Sequence, residues 1–319
     1  MLNLTVAVIA GGPSREASVS RSSAAEVVRA LERAGARVAL HELDARLTEG
    51  LRAQRPDVVF PVLHGPPGED GTVQGYLEIL GIPYVGSGVH ASATAMDKSL
   101  AKAVFRRVGL PICRELVFAA DTDPAEAAAR TVAELGDRVV IKPLRQGSAI
   151  GVTPVMNGGD LNAPFELAFG LGDGALVEPF VLGREVTVGV LDLHGQPARA
   201  FPPIEIRTPS GTWYDFQHRY TVGESEHVIP AGVDAPTLAR LEEVALAAHR
   251  AIGCRDLSRA DFIATDDGRI VLLEVNTLPG MTPTSLYPDG ARAIGLSFED
   301  LMAALVQSAH RRGSAMPRA

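Results

Sequence analysis

Cysteine is scarce in this chain: Cys113 and Cys254 are the only two in 319 residues. That is too few for a disulfide scaffold, and neither stands in a metal-ligand spacing such as Cys-x-x-Cys, so both read as reduced, structural thiols. Positive charge is also in short supply, with 30 Lys and Arg against 38 Asp and Glu and a formal net charge of −8. Such a balance argues against a protein that grips a nucleic-acid backbone through a basic face, and the nearest basic run, Arg311-Arg312, is short and terminal. No segment approaches the roughly 18 uninterrupted apolar residues of a membrane span, and the N-terminus lacks the basic region and apolar run of a signal peptide. The expectation is a soluble cytoplasmic protein with neither a membrane nor a nucleic-acid partner. Internal repeats and low-complexity linkers are missing too. What the chain does have is 46% hydrophobic residues, enough for two or three compact units with cores of their own.

Strand and helix patterns alternate at first. Residues 4–10 form a short apolar strand, and Ala24, Val27, Val28, Leu31 and Ala34 fall on one helical face, with Gly35 placed to end the helix. Residues 37–41 and 58–63 read as strands and 73–80 as a helix stopped by Gly81, together a small parallel α/β unit. A second segment begins near Ala95, with a helix over 98–108 and strands near 115–118, 139–142 and 176–180. A third, from about Gly183, holds long β segments, a helix over 237–252 and an acidic hairpin. The predicted fold class is α/β with α+β character in three parts, residues 1–95, 96–182 and 183–319.

The hairpin is the most informative stretch. Arg259-Ala260-Asp261-Phe262 and Leu273-Glu274-Val275-Asn276 flank Asp267-Gly268, a two-residue turn signal that sets Asp261 opposite Glu274 and Arg259 opposite Asn276. Side chains alternate along a strand, so these four project from one side, while Ala260, Phe262, Leu273 and Val275 make the other side apolar. Ile263, Leu272 and Ile270 are expected to continue the polar quartet's face as apolar residues, which confines the charge to one end. An isolated Asp/Glu pair on a surface hairpin is ordinarily just solvated. Two carboxylates about 5 Å apart across a rung, flanked by buried strand positions, instead call for a bound cation, and the Asn276 amide oxygen suits magnesium.

A second feature is Ile141-Lys142-Pro143-Leu144-Arg145-Gln146-Gly147-Ser148-Ala149-Ile150-Gly151, a strand entering a glycine-containing loop. Such loops fold backbone N–H groups around phosphate oxygens, and the lysine adds compensating charge; the alternative is an ordinary hairpin connection. It is not a Walker A loop, because no Gly-Lys-Ser/Thr opens a helix. Likewise, the Gly-Gly after the first strand lacks the full Gly-x-Gly-x-x-Gly of a dinucleotide fold.

With Met96-Asp97-Lys98 upstream and Val177-Glu178-Pro179-Phe180 and Glu185 downstream, this set resembles the nucleotide site of the ATP-grasp enzymes. The resemblance implies that Lys98 and Lys142 contact the ATP phosphates and that Ser148 and Arg219 lie with them. Glu178, Phe180 and Val181 would border the adenine, and Glu185 would bind the ribose hydroxyls. Asp261, Glu274 and Asn276 become the ligands of two Mg2+ ions, with Mn2+ as a substitute.

Within that superfamily the chain resembles the D-alanine–D-alanine ligases over nearly its whole length. The matching pieces are Gly11-Gly12-Pro13-Ser14-Arg15-Glu16-Ala17-Ser18, His64-Gly65, Gly68-Glu69-Asp70-Gly71-Thr72, Tyr84-Val85-Gly86-Ser87-Gly88, Trp213-Tyr214-Asp215-Phe216 with Tyr220, Ile229-Pro230-Ala231-Gly232, and Glu274 through Thr282. The activity implied is ATP-dependent joining of two D-alanines through an acyl phosphate, for peptidoglycan precursor synthesis, by a homodimer. Glu16 would bind the first substrate's ammonium and join Ser148 and Tyr220 in a hydrogen-bonded triad, with His64 nearby. Arg259 and the N–H of Gly280 would stabilise the tetrahedral oxyanion. Ser285 and the N–H of Leu286 would hold the second carboxylate.

Three departures stand out. Arg219 replaces a common lysine, Pro179 stands where some members have lysine, and Ser18 occupies a position often held by Glu. A D-alanine–D-lactate or other D-amino-acid ligase is the alternative of the same class; a nucleotide-binding regulator is the alternative without catalysis.

Overall fold

A computed structural model of the chain describes residues 1–14, 16–156, 158–208, 225–282 and 284–314. The first sheet is parallel, with β1 (Thr5–Ala10) between β2 (Arg37–Glu42) and β3 (Val58–Pro61). Alternation along β1 divides the core. Val6, Val8 and Ala10 pack on α1 (Ala17–Arg33), while Ala7 and Ile9 face α2 (Leu47–Gln54) and α3 (Thr72–Ile79). α1 buries the stripe predicted from spacing, with Ala24, Val27 and Leu31 at its centre.

After α4 (Val89–Met96) and α5 (Lys98–Arg107) comes a four-stranded antiparallel sheet. Its order is β4 (Leu116–Phe118), β7 (Ala175–Pro179), β5 (Val139–Pro143), β6 (Thr153–Val155). One face, including Val139, Ile141, Ala175 and Val177, is covered by α6 (Pro124–Leu135) and α7 (Asn162–Phe169). The other face carries Lys142 and Glu178, because Val140 pairs with Glu178 and Lys142 with Leu176.

The third sheet is built on β8 (Arg184–Asp192), β10 (Ile204–Arg207), β11 (Glu226–Val228), β12 (Asp256–Ala264) and β13 (Ile270–Asn276), in the order β11-β10-β8-β12-β13, with β9 (Arg199–Ala200) paired to β8. α8 (Ala235–Ile252) covers one face over Val186, Val188, Ala260, Phe262 and Leu272. Asp234 starts that helix by accepting a hydrogen bond from the Thr237 N–H at 2.8 Å. α9 (Leu286–Ala293) and α10 (Phe298–Arg312) follow, and α10 returns to the first sheet, where Leu301, Met302, Leu305 and Val306 join the core of β1 and α1. No helix among the described residues is long and apolar enough to cross a membrane.

The sequence reading needs correction in two respects at the hairpin. The turn has three residues, not two: the Thr265 N–H donates to the Arg269 carbonyl at 2.9 Å and the Gly268 N–H to the Thr265 carbonyl at 3.0 Å, with Gly268 at φ +80°. A side chain there would be strained, which is why glycine ends the loop. The extra loop residue shifts the register by one, and a β-bulge between Asp261 and Phe262 shifts it back. Phe262 therefore pairs with Leu272, and Leu273 is the surplus residue. Leu272 and Ile270 accordingly lie in the core with Phe262 rather than on the polar face, and Leu273 leaves that core.

Candidate functional site

Beyond the bulge the predicted rungs are in place, Asp261 opposite Glu274 and Arg259 opposite Asn276. On the other side of β12, Asp261 pairs with Thr187 and Ile263 with Glu185, so Glu185 and Thr187 share the face of the polar quartet. Asp261 is densely bonded. It accepts two hydrogen bonds from the Arg259 guanidinium at 2.8 Å each, one from the Thr187 hydroxyl at 2.6 Å and one from the Asn276 amide at 3.1 Å. A bidentate Arg–carboxylate pair with further donors is among the stronger ion pairs a protein makes. Glu274 lies 3.8 Å from the Lys98 ammonium.

Lys98 opens α5, whose first amides are capped by Asp97. Its Nζ donates to the Gln146 carbonyl at 2.6 Å, and its backbone N–H reaches the Leu144 carbonyl at 3.1 Å, tying the helix to the loop after β5. Burial presses its ammonium below the ordinary lysine range, against the pull of Glu274. One turn further along α5, Lys102 is 1% exposed, and its Nζ lies 2.5 Å from Glu178 Oε1. The second oxygen of Glu178 accepts from Lys142 at 2.7 Å. Burial works against both charges of that pair. For Lys142, the nearby Glu178 outweighs it and holds the ammonium above the usual range; for Glu178, Lys142 and Lys102 outweigh it and hold the carboxyl below its own.

The loop 144–151 turns through Ser148 and Ala149, both at positive φ, +48° and +57°. Two successive non-glycine residues in that region are uncommon and mark a loop held in place by its surroundings. Ser148 donates its hydroxyl to Glu16 Oε1 across 132 residues of chain. Glu16 is 3% exposed at the start of α1. His64, just beyond β3, is 8% exposed, and its Nε2 has no hydrogen-bond partner among the described residues. Burial lowers its pKa, with Glu16 opposing and Arg259 adding to the shift. Burial also pushes the Glu69 carboxyl up to about 8, although the Gly65 N–H donates to it at 2.6 Å.

Gly280 and Ser285 are neighbours: a Cβ on Gly280 would meet Ser285 Oγ at 3.1 Å. Ser285 precedes α9 without capping it. Its hydroxyl instead bonds the Thr282 hydroxyl at 2.7 Å and accepts from the Thr282 N–H at 3.2 Å. Leu286 begins the helix and is buried. Phe180 follows β7 with the Arg138 guanidinium 5.3 Å from its ring centre, and its N–H donates to the Arg138 carbonyl at 2.9 Å. Val181 beside it is half-buried. Arg219 and Tyr220, with the surrounding Trp213, Tyr214, Asp215 and Phe216, lie outside the described residues.

The structure thus brings together Arg259, Asp261, Asn276 and Glu274; Lys142 with Glu178; and Glu16 with Ser148. Sequence reasoning missed Lys102, Thr187 and Glu69. Lys102 had a signal, its position four residues after Lys98 on the same helical face. Thr187 had none apart from the cross-strand register.

The model for the D-ala D-ala ligase N-terminus matches residues 41–87 and that for the D-ala D-ala ligase C-terminus matches 104–307. The chain is 45% identical to the D-alanine–D-alanine ligase of Acidiphilium cryptum over 307 residues, covering 95% of this chain and 98% of that one. It is 44% identical to the D-alanine–D-alanine ligase of Desulforudis audaxviator over 311 residues, covering 96% and 99%. Among solved structures, the Bacillus anthracis D-alanine–D-alanine ligase complexed with ATP superposes with a TM-score of 0.83 at 29% identity, over 97% of this chain and 98% of that chain. The ligase from Coxiella burnetii gives 0.81 at 25% identity, over 98% and 95%.

Proposed function

Because the chain belongs to the D-alanine–D-alanine ligase family and joins two D-alanine molecules at the expense of ATP, we propose a role for each group at the face shared by β8, β12 and β13. The observation that carries the reading is that Lys98, 3.8 Å from Glu274 and bonded to the Gln146 carbonyl, links the Asp261/Glu274 rung to the loop that joins the Lys142–Glu178 pair to the Glu16–Ser148 bond.

Lys98 and Lys142 hold the phosphates of ATP, with Ser148 and Arg219 beside them. Glu178, Phe180 and Val181 border the adenine; Pro179 has no N–H to offer there, so any contact at that position is through its carbonyl. Glu185 takes the ribose hydroxyls. Two carboxylates and an amide form a hard oxygen donor set suited to a small divalent cation, provided the Asn276 amide turns its oxygen inward. Magnesium, or manganese in its place, would neutralise charge on the transferring phosphoryl group.

Glu16 receives the ammonium of the first D-alanine, and His64 directs its unpartnered Nε2 toward the same substrate. ATP phosphorylates that substrate's carboxylate to an acyl phosphate. The amine of the second D-alanine, its carboxylate held by Ser285 and the Leu286 N–H, attacks the acyl carbon. Arg259 and the Gly280 N–H stabilise the oxyanion until phosphate leaves. Because the Ser285 hydroxyl bonds Thr282 rather than capping α9, the amides that open the helix are left for an anion. The Glu16–Ser148 bond, completed by Tyr220, closes the loop and keeps water from the acyl phosphate. The presence of one sheet in each part supports a division at 1–95, 96–182 and 183–319. The setting we propose is a cytoplasmic homodimer.

The test is phosphate release from ATP and Mg2+ with D-alanine, L-alanine, or D-alanine plus D-lactate, products identified by mass, for wild type and Glu274→Gln. Release with D-alanine giving its dipeptide, and loss of Mg2+-dependent turnover in Glu274→Gln, are expected. A depsipeptide product would move the second substrate to a hydroxy acid, and an unaffected Glu274→Gln would remove the hairpin from the metal site.

A further inference from the structure

We infer that Lys102 is a positioning residue for the nucleotide step: it holds the Glu178 carboxylate so that Lys142 can leave it for the phosphates of ATP. The inference rests on the assignment of Lys142 to ATP made above. Its starting point is an imbalance. Glu178 is 2% exposed, yet two ammonium groups share its single charge, Lys102 on Oε1 at 2.5 Å and Lys142 on Oε2 at 2.7 Å. One lysine suffices to neutralise a buried carboxylate. A second buried ammonium is a desolvation cost that the ligand-free protein does not need.

The two lysines occupy different places. The Lys102 side chain is 2% exposed and reaches Glu178 from α5, which packs on the core of the third sheet. The Lys142 side chain is 13% exposed and lies on the strand that runs into the loop 144–151, whose Gln146 carbonyl holds Lys98. The outer lysine is the one with access to an incoming anion, and the inner one has nowhere to go.

The surplus charge is accounted for once the anion arrives. When Lys142 turns to a phosphate, Lys102 and Glu178 remain as a one-to-one pair, and no buried charge is left alone. Without Lys102 the same movement would strand Glu178 in a dry site. Lys142 would then be retained by the carboxylate, and the nucleotide would have to compete for it. Lys102 never touches the substrate in this scheme; it acts through Glu178. A scaffold role alone makes no such prediction, because it would not separate the nucleotide from the amino acid substrate.

The experiment is steady-state kinetics of Lys102→Met, Glu178→Gln and the double variant, with ATP and D-alanine varied separately and Lys142→Met as control. For Lys102→Met the KM for ATP is expected to rise roughly tenfold or more while kcat and the KM for D-alanine stay within about twofold. In the Glu178→Gln background, where the buried charge is gone, the added Lys102→Met change should raise the KM for ATP by no more than about twofold. An unchanged KM for ATP in Lys102→Met, equal rises for both substrates, or the same penalty in both backgrounds would overturn the inference. Lys142→Met without effect on ATP kinetics would instead overturn the assignment of Lys142 on which it stands. Should Lys102→Met not yield folded protein, Lys102→Gln puts a neutral polar side chain at that place without the charge and is judged by the same criteria.

Discussion

Burial drives the pKa of Glu69 up to about 8 from an ordinary 4.5, with the Gly65 N–H and the charge of Arg259 pulling the other way, so it is a carboxylic acid near neutral pH. A carboxyl raised in the folded state contributes stability that is full below about pH 4.5 and is lost as the pH climbs through about 8. Glu69→Gln, which cannot ionise, should therefore gain on wild type across that window, and thermal unfolding of both ligand-free proteins between pH 5 and 9 would show the curves converging or crossing. Parallel curves would mean that Glu69 titrates normally. In the sequence this residue was one letter of a matched motif, Gly68-Glu69-Asp70, with no signal for its ionisation, which depends on Glu16, Arg259 and Glu274 arriving from distant elements. Asp261 and Glu274 were legible because both stand on one hairpin, where period-two alternation decides which side each faces. Lys102 reads as an exposed helix charge until Glu178 is placed beside it.

At the scale of elements, the long strands and the helices α1, α3, α5 and α8 were legible in the sequence, α1 from its apolar spacing. The helices α2, α4, α6, α7 and α10 were not, although Asp123-Pro124 is a start signal for α6 and Asp123 does accept from the Ala125 N–H at 2.8 Å. The first four run 8 to 12 residues, and their buried stripes are carried by only two or three side chains each, too few to register as periodicity; α10, with Leu301, Met302, Leu305, Val306 and Ala309 buried at helical spacing, had the signal and was passed over. The hairpin had its rungs read rightly for an incomplete reason, since an unforeseen third loop residue is cancelled by an unforeseen bulge. The loop 144–151 and the start of α1 make a second pairing, through Ser148 and Glu16. Ser148→Ala removes the donor while leaving the lysines in place. ATP hydrolysis should then rise relative to dipeptide by severalfold, read as the ratio of phosphate to dipeptide in one assay. A ratio still near one would separate that bond from water exclusion.

Over the whole molecule, the third sheet is locked to the first through Asp256. This residue is fully buried at φ +61°, and it accepts from the Ser308 hydroxyl at 2.7 Å, the Arg312 guanidinium at 2.6 Å and the Gly86 N–H at 2.9 Å. Arg312 also donates to the Tyr84 carbonyl at 2.7 Å, so one side chain of α10 bridges β12 and the end of the first α/β layer. Arg312→Met leaves a buried carboxylate short of its cation. It should cost about 3 kcal/mol, seen as a drop of several degrees in Tm, and adding Asp256→Asn should recover part of the loss. No recovery would place the effect in packing rather than charge. α10 also fills the side of the first sheet that α1 covers only in part, with Leu301, Leu305 and Val306 against β1 and β3. During translation those fifteen residues emerge roughly 240 residues after β3 and so on the order of tens of seconds later. Until then the newborn chain carries an open apolar sheet face, and a chain released before this helix keeps one for good.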